Sequence, residues 1–329
     1  MYVKLKLILY ALYLITALFS NTSCKKKSKL TVNYNTYTVL AGFKINNTFW
    51  LNSLTGFACG GERSQSGKIF KTVNGGVNWD EVHHNTDYSL YDICFINDSI
   101  GYCCGEKFNM LYTLNSGKLW QSYKFEWAPG NYQNSTLRNL NKINNRVVVV
   151  GGDNFNVGIT FHFAYNDFQY IYSHPDNELR CSLTFDNGNS CFFFGYGYAF
   201  NSTDSLKTYH PINLTNDFFT AGCVLNNSEA YICGYNGGIY KTTNAGQDWK
   251  KINDANRLLT NRDHFNSILF TDSGNGWCVG NAGLILYTLN GNDWKKVTYT
   301  GKENLLSIRK KNANTIIVST SEGQLIEFN

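Results

Sequence analysis

The stretch GKIFKTVNGGVNW, Gly67 to Trp79, decides the fold, because it returns as NMLYTLNSGKLW at Asn109 to Trp120 and as GGIYKTTNAGQDW at Gly237 to Trp249. A fourth copy, GLILYTLNGNDW at Gly283 to Trp294, is one residue shorter. A strand and hairpin recurring every forty-odd residues means a stack of similar small sheets, none of which can bury its apolar face alone. Trp79 to Trp120 is 41 residues, Tyr209 to Trp249 is 40 and Trp249 to Trp294 is 45, whereas Trp120 to Tyr209 is 89, room for a degenerate extra unit.

Upstream of each hairpin stands a second phrase that closes on glycine: GFACG at Gly56, GYCCG at Gly101, VVVVG at Val147, CFFFG at Cys191, YICGY at Tyr231 and GWCVG at Gly276. TIIVST at Thr315 is a seventh relative. Each unit reads as four short strands, with the T-x-N-x-G turn reversing the chain into a fourth strand that starts at the Trp. Asn hydrogen-bonds its own backbone and Gly supplies positive φ, so the hairpin is locally specified. The turn residues are Thr72, Asn74, Gly76 and Trp79, then Thr113, Asn115, Gly117 and Trp120, then Thr242, Asn244, Gly246 and Trp249, with Trp294 in the last copy. The Trp is large enough to bury about 150 to 250 Å² and to staple the turn to its sheet.

The final unit, GQLIEFN at Gly323 to Asn329, stops after its third strand, while Thr31 to Val39, TVNYNTYTV, is β-prone with no unit of its own. The second supplies what the first lacks and removes two sheet edges. The expectation is an all-β, seven-bladed β-propeller of four-stranded blades closed by an N-terminal strand, one domain over residues 30–329. Aromatic residues at 16% and only three prolines suit such a chain.

The N-terminus reads differently. Lys4 and Lys6 precede an apolar run from Leu7 to Phe19, which has the length of a signal-peptide core and is short for a bilayer span. Cys24 follows, then Lys25, Lys26, Lys27 and Lys29. The segment resembles a bacterial lipoprotein signal: 1–23 is the signal peptide, Cys24 the lipidated residue and 24–29 a basic tether, although Asn21 stands where a lipobox usually has an apolar residue. The expected address is the bacterial cell envelope, lipid-anchored to a membrane. Loss of Lys4 and Lys6 lowers the net charge from +5 to +3, too mild a balance to imply nucleic acid.

Chemistry-bearing residues are few. Cys59, Cys104 and Cys233 stand directly before the repeat glycine and Cys278 one place earlier, so they read as equivalent strand positions in different blades and are not expected to approach within the roughly 7 Å Cα limit of a disulfide. No C-x-x-C, G-x-S-x-G or H-E-x-x-H is present. His83, His84 and Asp87, and His174 with Asp176, read as solvated loop residues; no metal and no cofactor is expected.

The turn T-x-N-x-G-x-x-W and the phrases before it resemble the photosystem II stability and assembly factor type of propeller, itself related to Asp-box, or bacterial neuraminidase repeat, proteins. The similarity spans nearly the whole mature chain and is strong at four blades. STDSLKTY at Ser202 to Tyr209 keeps the Asp but has Leu206 for Gly and Tyr209 for Trp, and the unit near Phe161 to Tyr170 has lost the motif. The resemblance implies a structural turn on the face opposite the binding site. It implies a non-enzymatic scaffold presenting loops to an envelope protein or a glycan, with an Asp-box glycoside hydrolase as the alternative. Against a sialidase stand only seven arginines and no F-R-I-P-like opening. Loops on a rigid ring carry function, and the candidates for the mouth are Arg63, Glu106, Lys107, Asp153, Asn154, Tyr196, Tyr235, Asn236 and Asn281, with Tyr88 and Trp127 from loops between blades.

Overall fold

The computed structural model describes residues 31–125, 134–153, 157–168, 172–175, 178–185, 190–204, 206–214, 217–252 and 263–329. The signal segment, Cys24, the tether, Trp127, Asn154 and Asp176 lie outside the described residues, as does the His174 side chain.

Seven antiparallel sheets form the ring. Blade 1 is built of Ile45–Trp50, Gly56–Gly60, Gly67–Thr72 and Asp80–Asn85, ordered from axis to rim. The innermost strands of blades 2 to 7 are Leu90–Phe95, Thr136–Ile143, Leu179–Phe185, Phe219–Val224, Phe265–Phe270 and Leu305–Lys310. Each packs beside the next, and the last beside the first. Tyr34–Thr38 completes blade 7, antiparallel to Gln324–Phe328 with Tyr34 opposite Phe328 and Thr38 opposite Gln324. The ring therefore closes as the orphan strand implied. Blade 3 departs from four strands, since Tyr172–Pro175 adds a fifth alongside Val157–Ala164.

The innermost strand of each blade starts at one face, the upper, and its second strand returns there. The T-x-N-x-G turns follow the third strands and lie on the lower face. In blade 1 the buried Thr72 hydroxyl donates to Asn74 Oδ1 and accepts from Gly76 N, both at 3.0 Å, and Asn74 Oδ1 also accepts from Asn78 N at 3.0 Å. The same bonds recur at Thr113 with Asn115 and at Thr242 with Asn244. Blade 4 achieves it with Ser202 and Asp204, holding Leu206 at φ 68°, a left-handed conformation that suits glycine better.

The turn glycine has a second reason to lack a side chain. A Cβ at Gly117 would meet the Phe57 ring at 2.3 Å, and one at Gly246 the Phe192 ring at 2.3 Å. Both rings belong to the glycine-closing phrase of the preceding blade, so the two recurring phrases form one joint between neighbours. The Trp residues take part in the same joint: Trp249 packs edge-on against Phe194 at 5.4 Å, and Trp120 against Phe57 at 6.4 Å. The staple thus reaches the previous blade as well as its own sheet. Trp120 and Trp294 are buried, whereas Trp79 and Trp249 are only half-buried. Except in blade 6, the fourth strand begins after the Trp.

Strand alternation sets the rest of the packing. The residue directly before the repeat glycine faces the following blade, and the one before it faces the preceding blade, as in Cys104 with Val149, Val150 with Phe193, Phe194 with Ile232 and Val279 with Val318. By the same rule Cys59 meets Cys103 and Cys233 meets Cys278, thiol to thiol across blade boundaries. Thiols of neighbouring blades therefore meet at two boundaries, a contact that the sequence reading did not foresee. These thiols remain free, and burial pushes those of Cys103 and Cys278 well up from their ordinary range. His83 and His84 are also placed differently, on the outer strand Asp80–Asn85 and not in a loop.

Candidate functional site: the upper mouth

Every innermost strand opens with a one-residue bulge. Register slips between Ile45 and Asn47, and in the same way around Tyr91, Arg138, Arg180, Thr220, Asn266 and Leu306. A bulge leaves one residue outside the ladder and re-aims its side chain. All seven bulge residues line one cavity of about 610 Å³ at the upper end of the axis. The next residue of each strand, from Asn47 and Asp92 round to Ser307, lines a second cavity of about 400 Å³ deeper in the channel.

Three bulge residues are bonded to the next blade in one shared way. Asn46 Nδ2 donates to Leu90 O at 2.6 Å, Thr220 Oγ1 to Phe265 O at 2.8 Å and Asn266 Nδ2 to Leu305 O at 2.9 Å. In each case the acceptor is the first ladder residue of the following blade. Deeper in the channel Asp92 Oδ1 accepts from Asn47 Nδ2 at 2.5 Å and Oδ2 from Asn139 Nδ2 at 2.8 Å, while Asn139 Oδ1 accepts from Ser182 N at 3.0 Å. Burial pushes the Asp92 carboxyl up, against the pull of Arg309 and of the amides bonded to it. This chain of polar groups fixes blades 1 to 4 around the axis.

Blades 2, 3 and 4 use the bulge otherwise. Arg138 Nε donates to Glu178 Oε1 at 2.7 Å, and Arg180 approaches Glu178 Oε2 at 3.4 Å. The Arg138 guanidinium lies 4.4 Å from the Tyr91 ring centre and that of Arg180 5.4 Å from the Tyr196 ring centre, both within cation–π range. The Glu178 side chain is 3% exposed, so the pair is a substantially desolvated one. Burial acts against the Arg138 charge, but Glu178 and Tyr91 outweigh it and raise its pKa. Burial and the Arg138 charge together lower that of Arg180. Two guanidiniums share one carboxylate, and Arg180 Nε is buried with no hydrogen-bond partner among the described residues.

Of the residues proposed from sequence, Tyr196, Tyr235 and Asn281 line this mouth. Tyr196 packs at a tilt against Phe218 at 4.5 Å, Tyr235 likewise against His264 at 4.7 Å, and Asn281 Oδ1 accepts from Asn266 Nδ2 at 2.8 Å. Asp217 shapes this part of the rim by accepting from the amides of Phe218, Asn236 and Gly238, a fold so close that a Cβ on Gly234 or Gly238 would strike its carboxylate at 2.2 Å.

The others lie outside the cavity lining. Glu106 is buried and accepts from the amides of Ser64 and Ser89, at 2.7 and 2.9 Å, a brace between blades 1 and 2. Arg63 flanks it at 3.5 Å, Lys107 pairs with Asp87 at 2.8 Å, Asp153 ends a strand opposite Val157, and Tyr88 packs into the blade 1–2 core. Among the described residues no cluster of three His, Cys, Asp or Glu could hold a metal ion.

Sequence reading missed Tyr91, Arg138 and Arg180. The usable signal was the residue after the apolar one that opens each inner strand: Leu90 precedes Gly105 by 15 residues, as Ile45 precedes Gly60 and Phe265 precedes Gly280.

With this geometry in view, the comparison with solved structures is specific about the fold. YCF48 bound to a D1 peptide superposes with a TM-score of 0.73 at 15% identity, covering 94% of this chain and 99% of that one. YCF48 from Cyanidioschyzon merolae gives 0.69 at 12% identity, covering 90% and 98%. The WD40 propeller domain of Doa1 gives 0.68 at 12% identity, covering 91% and 97%. No family model and no curated protein matches the sequence. The likeness shows a seven-bladed propeller.

Proposed function

We propose that this chain is a non-enzymatic binding scaffold, held at a bacterial envelope by an acylated Cys24, whose upper mouth takes an acidic segment of a partner protein. One observation carries the reading: Arg138 and Arg180 stand on adjacent blades in the lining of a 610 Å³ cavity with Glu178 as the carboxylate they share, while the lining's own carboxylates, Glu62 and Glu322, come from blades 1 and 7. A partner carboxylate accepts charge-assisted bonds from the guanidinium N–H groups not already on Glu178, and the adjacent Tyr91 and Tyr196 rings offer flat apolar surface to the chain that bears it. A D1 peptide is bound by the YCF48 of the first comparison, which makes a peptide the natural class of ligand to test.

The test is a random linear peptide library selected on the purified protein. Enriched peptides should share Asp, Glu or a free C-terminal carboxylate, and should lose at least about tenfold in affinity for Arg180→Gln, equivalent to about 1.4 kcal/mol. Enrichment of peptides with no acidic group would refute the reading. The glycoside hydrolase alternative gains no support from Glu106, which braces two blades outside the mouth; turnover of any glycan substrate by the wild-type protein would revive it. The anchor is tested separately. Cys24→Ala should abolish lipid labelling and release the protein from the membrane fraction, because acyl chains contribute about 0.8 kcal/mol per buried CH₂.

A further inference from the structure

The lower face carries an apolar arc that the fold does not require. Among the described residues, most of the large apolar side chains that remain exposed lie there, chiefly Leu54, Val73, Val77, Leu114, Leu119 and Leu289. They belong to blades 6, 1 and 2, at the tips of the T-x-N-x-G turns and the loop beside them. The matching tip positions of blades 4 and 5 are Thr203 and Thr243, in turns with the same hydrogen bonds. Nothing in the turn therefore calls for valine or leucine, and exposed apolar side chains gathered on one face mark a place of contact.

The chain's entry into the ring picks out the occupant. Tyr34 lies opposite Phe328, and Phe328 opposite Ile316, which lies opposite Lys310 at the lower end of the blade 7 inner strand. The N-terminal segment thus leaves from the lower face at blade 7, between Leu289 of blade 6 and the Val73 and Val77 turn of blade 1. Cys24 stands ten residues before Tyr34, a length that reaches about 35 Å at most when fully extended, and Lys25, Lys26, Lys27 and Lys29 lie in that interval. The turn backbones are also tied to one another, with Lys311 Nζ on Gly75 O at 2.8 Å and Lys71 Nζ on Ser116 O at 2.7 Å.

We infer that the lower face of blades 6, 7, 1 and 2 rests on an anionic lipid bilayer, with these valine and leucine tips in the headgroup region and the mouth turned away from the membrane. Apolar tips beside a polybasic segment are the combination that binds such surfaces. The inference rests on the anchored reading of Cys24 for how the protein reaches the bilayer.

Position-resolved hydrogen exchange on the full chain tests it, comparing vesicles of phosphatidylethanolamine and phosphatidylglycerol at 3:1 with a nonionic detergent. Amides of 72–79, 113–120 and 288–294 should slow at least about threefold on vesicles, while 242–249, the polar turn of blade 5, should not change. Serine at Val73, Val77, Leu114, Leu119 and Leu289 together should abolish the difference without lowering the melting temperature. Equal exchange in all four turns, or slowing confined to mouth segments, would overturn the proposal. If mass spectrometry finds no acyl group on Cys24, the anchored reading fails by itself. The same vesicles in excess then decide the face: slowing of the three apolar turns upholds it, and no slowing overturns it.

Discussion

In blades 1, 5 and 6 the bulge residue is Asn46, Thr220 or Asn266, and its side chain is bonded to the backbone of the next blade. In blades 2, 3 and 4 the same backbone position holds Tyr91, Arg138 or Arg180, whose side chains form a cation–aromatic cluster around Glu178. At these bulge positions one side of the mouth closes the ring and the other carries paired guanidiniums; the remaining charged lining, Lys44, Glu62 and Glu322, comes from blades 1 and 7 outside the bulges. The contrast teaches that repeat geometry fixes where a side chain points while sequence alone decides whether that side chain is structural.

The largest effect should come from removing the shared carboxylate. Glu178→Ala leaves two poorly solvated guanidiniums facing each other and is expected to cost about 3 to 5 kcal/mol by urea denaturation, whereas Arg138→Met, Glu178→Leu and Arg180→Met combined should return close to wild-type stability. A loss below about 1 kcal/mol for Glu178→Ala would mean the cluster is as well hydrated as a surface ion pair.

Next comes the separation of binding from stability. Arg180→Gln keeps the Arg138–Glu178 bond, so its melting temperature should stay near that of the wild type while selected peptides dissociate at least about tenfold faster. Equal loss of stability and affinity would place Arg180 among the structural residues.

On the opposite side the signs reverse. Asn266→Ala and Thr220→Val each remove one bond between blades and should cost about 1 kcal/mol, with peptide affinity unchanged. If either abolishes binding, the mouth acts as a whole ring and the two-sided account fails. Smallest of all, Leu306→Asn in blade 7, the one bulge that belongs to neither group, should shift stability by about 0.5 kcal/mol or less and leave binding intact.

The ring itself was legible because its determinants are local. Thr72, Asn74 and Gly76 form their turn from within eight residues of sequence, and the orphan Thr31 to Val39 announced the closing strand. The mouth was harder to read. Tyr196, Tyr235 and Asn281 stood out as loop residues after the repeat glycine, but Glu106 stood out equally and is a brace, since sequence does not show whether a loop carboxylate turns outward or finds two amides. Arg138 and Arg180 were hidden because a bulge carries no composition of its own; aligning the inner strands would have exposed them. The cysteine contacts needed the rule of which face of a strand meets which neighbour, a property of the assembled ring.

The most direct test of the two-sided mouth is a crystal structure of the protein with its tightest selected peptide. The account predicts a peptide carboxylate within hydrogen-bond distance of Arg180, lying between Tyr91 and Tyr196. A peptide seated on the Thr220–Asn266 side, or on the lower face, would contradict it.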